Sequence, residues 1–190
     1  MMTDADAKAP RTNPRYDPDR RERIITSCLD VIAEHGVAGT SHRRVAATAG
    51  VPLGSMTYHF AGMNELLREA FGRFSREIAE QFERRLSAAA TTEEAREAVV
   101  LLITEDVFGT ERDLVLTHEL YTLAAREAPY RELTSAWMAR SRAALERHFD
   151  PVTARMLDAM IEGLTIHRAL DVVPHDRDVA RTAVERIVGR

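Results

Sequence analysis

The sequence predicts an all-α protein of about nine helices, in which a small three-helix module precedes a larger helical domain. Three observations carry this. Apolar residues recur at three- and four-residue spacing in segment after segment, with no alternating β pattern and no Gly-rich strand turns. Ser, Thr and Asp cap signals open these segments, several followed by Pro or by an acidic residue three places on. Residues 50–60 read GVPLGSMTYHF, which places a turn signal between two short helical patterns.

Taken in order, residues 1–16 lack periodicity and carry two Pro, which reads as a flexible arm. Asp17-Pro18 then supplies an N-cap and a Pro at the first helical position, with Asp19 and Glu22 at the positive helix end. Ile24, Ile25, Cys28, Leu29, Val31 and Ile32 follow at helical spacing until Gly36 stops the run. Thr40 or Ser41 caps a short second helix whose buried side is Val45, Ala46 and Ala49, and Gly50 fits its left-handed end. Val51-Pro52 starts the third helix, through Phe60. Two short helices joined by a Gly-containing turn, after a longer one, fit a helix-turn-helix module over residues 17–62. The rest, residues 63–190, also reads as helix. Leu66, Leu67, Phe71, Phe74, Ile78 and Phe82 mark a long one over 65–85, and Thr91-x-x-Glu94 and Thr110-x-x-Asp113 are capping boxes. Pro129 opens a segment through His148, Asp150-Pro151 repeats the Asp-Pro signal, and a last helix spans about 176–188 after Pro174.

Composition narrows the function. The 190 residues are 45% hydrophobic and 29% charged, as in folded globular domains. No apolar run approaches the roughly 18–20 residues that cross a bilayer. The polar start of the chain has no signal-peptide core, so the expected compartment is the cytoplasm. Cys28 is the single cysteine, which excludes an intrachain disulfide and a Cys-rich zinc site; among Ile24, Ile25, Leu29 and Ile32 it reads as a small core residue. The net charge is −4, yet residues 1–60 sum to +1, a weak asymmetry in the direction a nucleic-acid binder needs.

The run Ile24…Gly36-x-x-x-Thr40-Ser41…Arg44-Val45-Ala46-x-x-Ala49-Gly50-Val51-x-x-Gly54-Ser55-Met56-x-Tyr58-His59-Phe60…Glu65-Leu66-Leu67 resembles the N-terminal domain of TetR-type transcriptional regulators, densely over residues 20–70. The resemblance implies that Pro52, Leu53, Gly54, Ser55, Met56, Thr57, Tyr58 and His59 form a recognition helix in the major groove of double-stranded DNA. Ser41, Arg43 and Arg44 would then open the preceding helix near the phosphates. Gly54 and Ser55 permit close approach of a helix N-terminus to the backbone. Ser55 and Thr57 can bond bases or phosphates, Met56 can touch thymine methyls or pack inward, and Tyr58 and His59 can donate to phosphates. Leu53 and Thr57 depart from a family that often has Lys and Tyr there, which removes phosphate contacts. Arg11 and Arg15 of the arm are candidates for a minor groove, although the Pro and acidic residues that interrupt the arm favour a disordered tail.

The resemblance further implies a C-terminal domain that dimerises and encloses a ligand pocket. For the pocket, Leu114, His118 and Tyr121 share one helix face, Leu133 and Trp137 lie on the next helix, and Leu102 and Asp106 on the preceding one. The same residues also fit an ordinary core, and Asp106 fits a solvated surface. For the dimer, Met156, Met160, Gly163 and His167 form a stripe on the penultimate helix and Val179, Ala183 and Ile187 another on the last. Two such helices from each subunit make a four-helix interface about a two-fold axis. The reading is a homodimeric, ligand-responsive regulator, a repressor released from a pseudo-palindromic operator by a small-molecule effector. An activator or a ligand-independent regulator of the same fold is the alternative. No cofactor or metal is expected. An enzyme is disfavoured, because the chain lacks Glu-x-x-His pairs, a zinc-protease helix, a phosphate loop and a nucleophile elbow.

Overall fold

The computed structural model describes residues 17–173 and 176–189, so the arm expected over 1–16, with Arg11 and Arg15, lies outside the described residues. Among the described residues there are nine α-helices and no strand. They are α1 (Arg20–His35), α2 (His42–Ala49), α3 (Gly54–His59), α4 (Met63–Ser87), α5 (Thr92–Leu101), α6 (Glu111–Ala124), α7 (Ala128–Leu145), α8 (Pro151–Leu170) and α9 (Arg177–Val188). A single π-helical turn, Leu102–Asp106, follows α5.

Most helix starts use the expected caps. Ser41, Thr91, Thr110, Asp150 and Asp176 each accept hydrogen bonds from amides two or three residues on, satisfying groups that a helix leaves without partners. Asp17 is different. Its carboxylate accepts the Asp19 amide at 3.1 Å and the Arg23 guanidinium at 2.6 Å, so it closes a turn ahead of α1, and the helix begins at Arg20. Helix α3 is also shorter than its sequence pattern. Pro52 and Leu53 remain in the turn, where the Pro52 carbonyl accepts the Ser55 amide at 2.9 Å.

Helix α4, 25 residues and about 37 Å long at 1.5 Å per residue, is the common wall of two hydrophobic clusters. Its Leu66, Leu67, Ala70, Phe71 and Phe74 join α1, α2, α3, α6 and α7 in the first, which contains Ile24, Cys28, Ile32, Val45, Met56, Phe60, Leu116, Leu120 and Trp137. Further along, Phe82 and Leu86 enter the second cluster, with Val99, Leu102, Ile103, Leu145, Leu157, Ile161 and Val184. The clusters divide the molecule differently from the sequence boundary at residue 62, since Met56 and Phe60 share a core with α6 and α7. Cys28 is fully buried there, and burial pushes its thiol up to about 12, which suits a core residue and not a nucleophile.

The π turn has its own support. Arg168 of α8 donates to the carbonyls of Thr104 at 2.5 Å and Val107 at 3.0 Å, and Arg85 of α4 forks onto Asp106 at 2.6 and 2.7 Å. These bonds fix where α5 ends and how the chain turns toward α6.

Gly36 stops α1 at φ 67°, and a Cβ there would lie 2.7 Å from Oε1 of Glu119 on α6. The Glu119 tip can swing away, whereas the left-handed backbone cannot relax. Gly36→Ala is therefore expected to lower unfolding free energy by about 1 kcal/mol in urea titration. Adding Glu119→Ala should recover only a minor part of that loss. A neutral Gly36→Ala would contradict this account of the helix stop.

Candidate nucleic-acid interface and ligand cleft

Helix α3 sorts its short sequence sharply. Met56 is fully buried and Phe60 nearly so, both in the first cluster, while Tyr58 is 85% exposed and Leu53 54% exposed. Pro52, Gly54 and Thr57 are exposed as well, and Ser55 and His59 are half-buried. The Tyr58 ring stands edge-on to His59, centroids 4.9 Å apart, and the Thr57 hydroxyl donates to the Gly54 carbonyl at 3.2 Å. Of the two roles the sequence left open to Met56, the structure shows inward packing, which removes it from the candidate DNA contacts: with its side chain filling the core, it has no surface to offer a thymine methyl. On α2, Ser41, Arg43 and Arg44 are exposed. Arg44 is tied back to the Gly39 carbonyl, while Arg43 has no protein partner among the described residues. One signal in the sequence went unread. Residues 35–64 contain Arg43, Arg44, His35, His42 and His59 and no Asp or Glu, so this face is locally cationic within an acidic chain.

The end of α3 is fastened by Arg21 of α1. Its guanidinium lies over the Phe60 ring, 5.2 Å from the centroid, and bonds both carboxylate oxygens of Glu69 on α4. One residue on, the Ala61 amide donates to Glu65 at 2.5 Å. The recognition-type helix is therefore pinned to α1 and α4 at its C-terminal end and left open at its N-terminal end.

A narrow cleft of about 40 Å³ opens between the π turn, α6, α7 and α8, lined by Val107, Phe108, Tyr121, Trp137, Met138, Ser141, Asp158, Ile161 and Glu162. Of the candidate pocket residues, Tyr121 and Trp137 meet here, ring centroids 6.0 Å apart. His118 reaches the rim through Phe108, centroids 5.9 Å apart, with Nδ1 2.8 Å from the Leu114 carbonyl. The others lie elsewhere. Leu102 is fully buried in the second cluster, Asp106 is held by Arg85, Leu133 faces a groove between α1 and α4, and Leu114 is half-buried on α6 away from the lining. Leu102, at the start of the π turn, packs into the second cluster, whereas Asp106, at its end, is held by the Arg85 guanidinium of α4. Phe108, Asp158 and Glu162 were not read from the sequence. Asp158 and Glu162 sit one helical turn apart on α8, a legible spacing hidden behind that helix's apolar stripe. Phe108 adopts φ 52°, which no pattern announces.

Electrostatics in the cleft follow burial. Desolvation raises the Asp158 carboxyl above the usual carboxylate range against the pull of Arg142, 3.2 Å away, and Glu162 adds to the rise. Burial raises the Tyr121 phenol as well, and the negative charge of Glu162 adds to the rise.

The outer face of α8 and α9 carries a shallow trough of about 690 Å³ lined by Met160, Asp176, Asp178, Val179, Thr182, Ala183, Arg186 and Ile187. Met156 and Val179 are 43% and 44% exposed, His167 is exposed, and Gly163 is half-buried. Four of the candidates for a subunit interface, Met160, Val179, Ala183 and Ile187, therefore line one trough. No helix among the described residues is long and apolar enough to cross a membrane, and those residues hold no His, Cys, Asp and Glu group of metal-binding kind.

Residues 24–70 match the family model described as bacterial regulatory proteins, tetR family. The chain is 61% identical to the transcriptional regulator candidate SCO7518 of Streptomyces coelicolor A3(2), with 91% of this chain and all (100%) of that chain covered and a TM-score of 0.85. A TetR-family member from the same source, SCO1917, is 34% identical over 91% of this chain and 100% of its own, TM-score 0.72. The multidrug binding protein EbrR in complex with ethidium is 34% identical over 90% of this chain and 99% of its own, TM-score 0.74; EbrR is also known with imidazole, malachite green and proflavin.

Because Arg21 both stacks on Phe60 and bonds Glu69, Arg21→Ala is expected to cost about 1 kcal/mol of stability in urea unfolding. Arg21→Lys should recover only part of it, since an ammonium lacks the flat guanidinium face that lies over the Phe60 ring. Full recovery by Lys would mean that charge alone matters.

Proposed function

The chain belongs to the TetR family of DNA-binding transcriptional regulators, and we propose that it works as a homodimeric repressor released from a pseudo-palindromic operator by a small organic effector. The observation that carries the DNA-binding face is the division of α3. Its apolar side chains Met56 and Phe60 are committed to the core, leaving Leu53, Ser55, Thr57, Tyr58 and His59 for a groove. Arg43 and Arg44 flank them on α2, and no carboxylate within residues 35–64 opposes a phosphate. Pro52, Gly54 and Ser41 allow close approach of the backbone.

A single module of this size binds weakly, and two-fold pairing places two of them one helical turn of DNA apart, about 34–36 Å. The uncovered α8–α9 face supports such pairing, with Met156, Met160, Gly163, His167, Val179, Ala183 and Ile187 as its contacts. The effector site is the cleft beside Tyr121 and Trp137, with His118 at its rim. The ligands of EbrR support a small organic effector. Release follows from population shift: an effector that binds more tightly to a conformation with α4 displaced changes the separation of the two recognition helices. Such a regulator works where its operator is, in the cytoplasm, without catalysis of its own.

Titration of purified protein into a labelled duplex from upstream of its own gene, with excess competitor DNA, tests this. Saturable binding of two protomers per duplex is expected, and binding abolished by competitor would contradict it. Within that assay, Tyr58→Ala is expected to weaken binding roughly tenfold, with thermal unfolding unchanged because the ring is exposed. His59→Ala should act in the same direction, and Arg43→Ala should lower the salt slope by about one unit. Unaltered affinity in both Tyr58→Ala and His59→Ala would overturn the face assignment.

A further inference from the structure

We propose that the cleft selects a flat aromatic effector bearing one positive charge, with Glu162 as its counter-ion and Arg142 as the residue that limits the charge to one. This rests on the cleft being the effector site. Its walls are rings. Tyr121 and Trp137 lie 6.0 Å apart at an interplanar angle of only 30°, and Phe108 closes the mouth. Aromatic faces attract flat rings and cations alike.

The two carboxylates of α8 that line the cleft are not equivalent. Asp158 accepts a hydrogen bond from Arg142 at 3.2 Å, and both side chains are largely covered, 20% and 21% exposed. Glu162 lines the cleft with the Tyr121 phenol, which its negative charge helps to raise, and forms no ion pair among the described residues. Arg155 acts on Asp158 from an exposed position. One negative charge is thus left without a counter-ion beside an aromatic wall, an arrangement that a bound monocation relieves. A dication brings its second charge to a carboxylate that Arg142 already satisfies. An anion is repelled by Glu162.

The free volume of about 40 Å³ is far below the roughly 300 Å³ of small-molecule sites, so the effector must take the place of a side chain. Phe108 is that side chain. It caps the cleft from a left-handed backbone at φ 52°, on the loop between the π turn and α6, and no neighbouring element covers that loop's Gly109.

Trp137 is the only tryptophan and lines the cleft, so quenching of its fluorescence reports occupancy at the site itself, in the full chain and without DNA. Three probes separate ring from charge: proflavin as a monocation, acridine as the same ring frame uncharged at pH 8, and 4′,6-diamidino-2-phenylindole as a dication. Proflavin is expected to bind about tenfold more tightly than the other two, the worth of one charge-assisted hydrogen bond. Glu162→Gln, which removes the charge and keeps the side chain's size, should erase that advantage and leave acridine unchanged. Arg142→Met should strengthen the dication about tenfold by freeing Asp158 as a second counter-ion, with Arg142→Gln as the substitute if Met impairs folding. Wild-type proflavin affinity in Glu162→Gln, or a dication no tighter in either Arg142 variant, overturns the charge assignment. Equal quenching by proflavin and acridine overturns it too while leaving the cleft as the site. Quenching by none of the three overturns the site together with the charge assignment.

Discussion

Helix α4 is the constraint on which the rest of the molecule depends. One uninterrupted helix supplies the floor of the DNA-binding module and a wall of both hydrophobic clusters, so neither end can be built independently. Its rings make the connection concrete. Phe71 meets Tyr130 of α7 edge-on, centroids 6.1 Å apart, and Phe74 meets Trp137 in the same manner at 6.4 Å. Trp137 in turn faces Tyr121 across the cleft. A chain of packed rings thus runs from the cleft to α4, and α4 carries the Glu69 that holds Arg21 over Phe60 at the end of α3. Close-packed contacts of this kind shift between discrete arrangements and do not stretch continuously.

Charge is distributed to reinforce that frame and to leave two places open. Arg140 forks onto Glu83 at 2.7 and 2.8 Å and holds its carboxyl below the usual range, while Arg85 forks onto Asp106. Each such part-exposed pair contributes about 0.5–1 kcal/mol, enough to orient α4 against α7 and the π turn without dominating stability. The open places are the two faces proposed above for DNA and for the effector. Residues 35–64 have cationic side chains and no acid, and the cleft has a carboxylate, Glu162, with no ion-pair partner among the described residues. On the proposed reading, an acidic protein approaches DNA through one face while presenting the opposite charge to a small molecule.

Of the nine helices among the described residues, five were legible from chemically marked starts, where Ser41, Thr91, Thr110, Asp150 and Asp176 cap as their types suggest; α1, α3, α4 and α7 have no side-chain cap and were legible from apolar spacing and Pro or Gly punctuation. The outward face of α3 was legible too, except at Met56. In a helix of six residues a single position decides between core and groove, and periodicity over so short a span cannot choose. The cleft was half legible. Tyr121 and Trp137 converge as expected of aromatic residues on adjacent helices, but Leu102, Leu133 and Asp106 depend on crossing geometry, on a π turn that shifts phase, and on an Arg85 partner 21 positions away. Phe108 and Glu162 acquire meaning only when α6, α7 and α8 are brought together, which local patterns do not encode.

The most direct test of α4 as the shared element is amide hydrogen exchange on the DNA-free protein with and without saturating proflavin. If cleft and recognition helix are parts of one packed unit, exchange rates change along α4 and in α2 and α3, around Met56 and Phe60, as well as in α6, α7 and α8. Changes confined to the helices around the cleft, with α2 and α3 untouched, would contradict that claim.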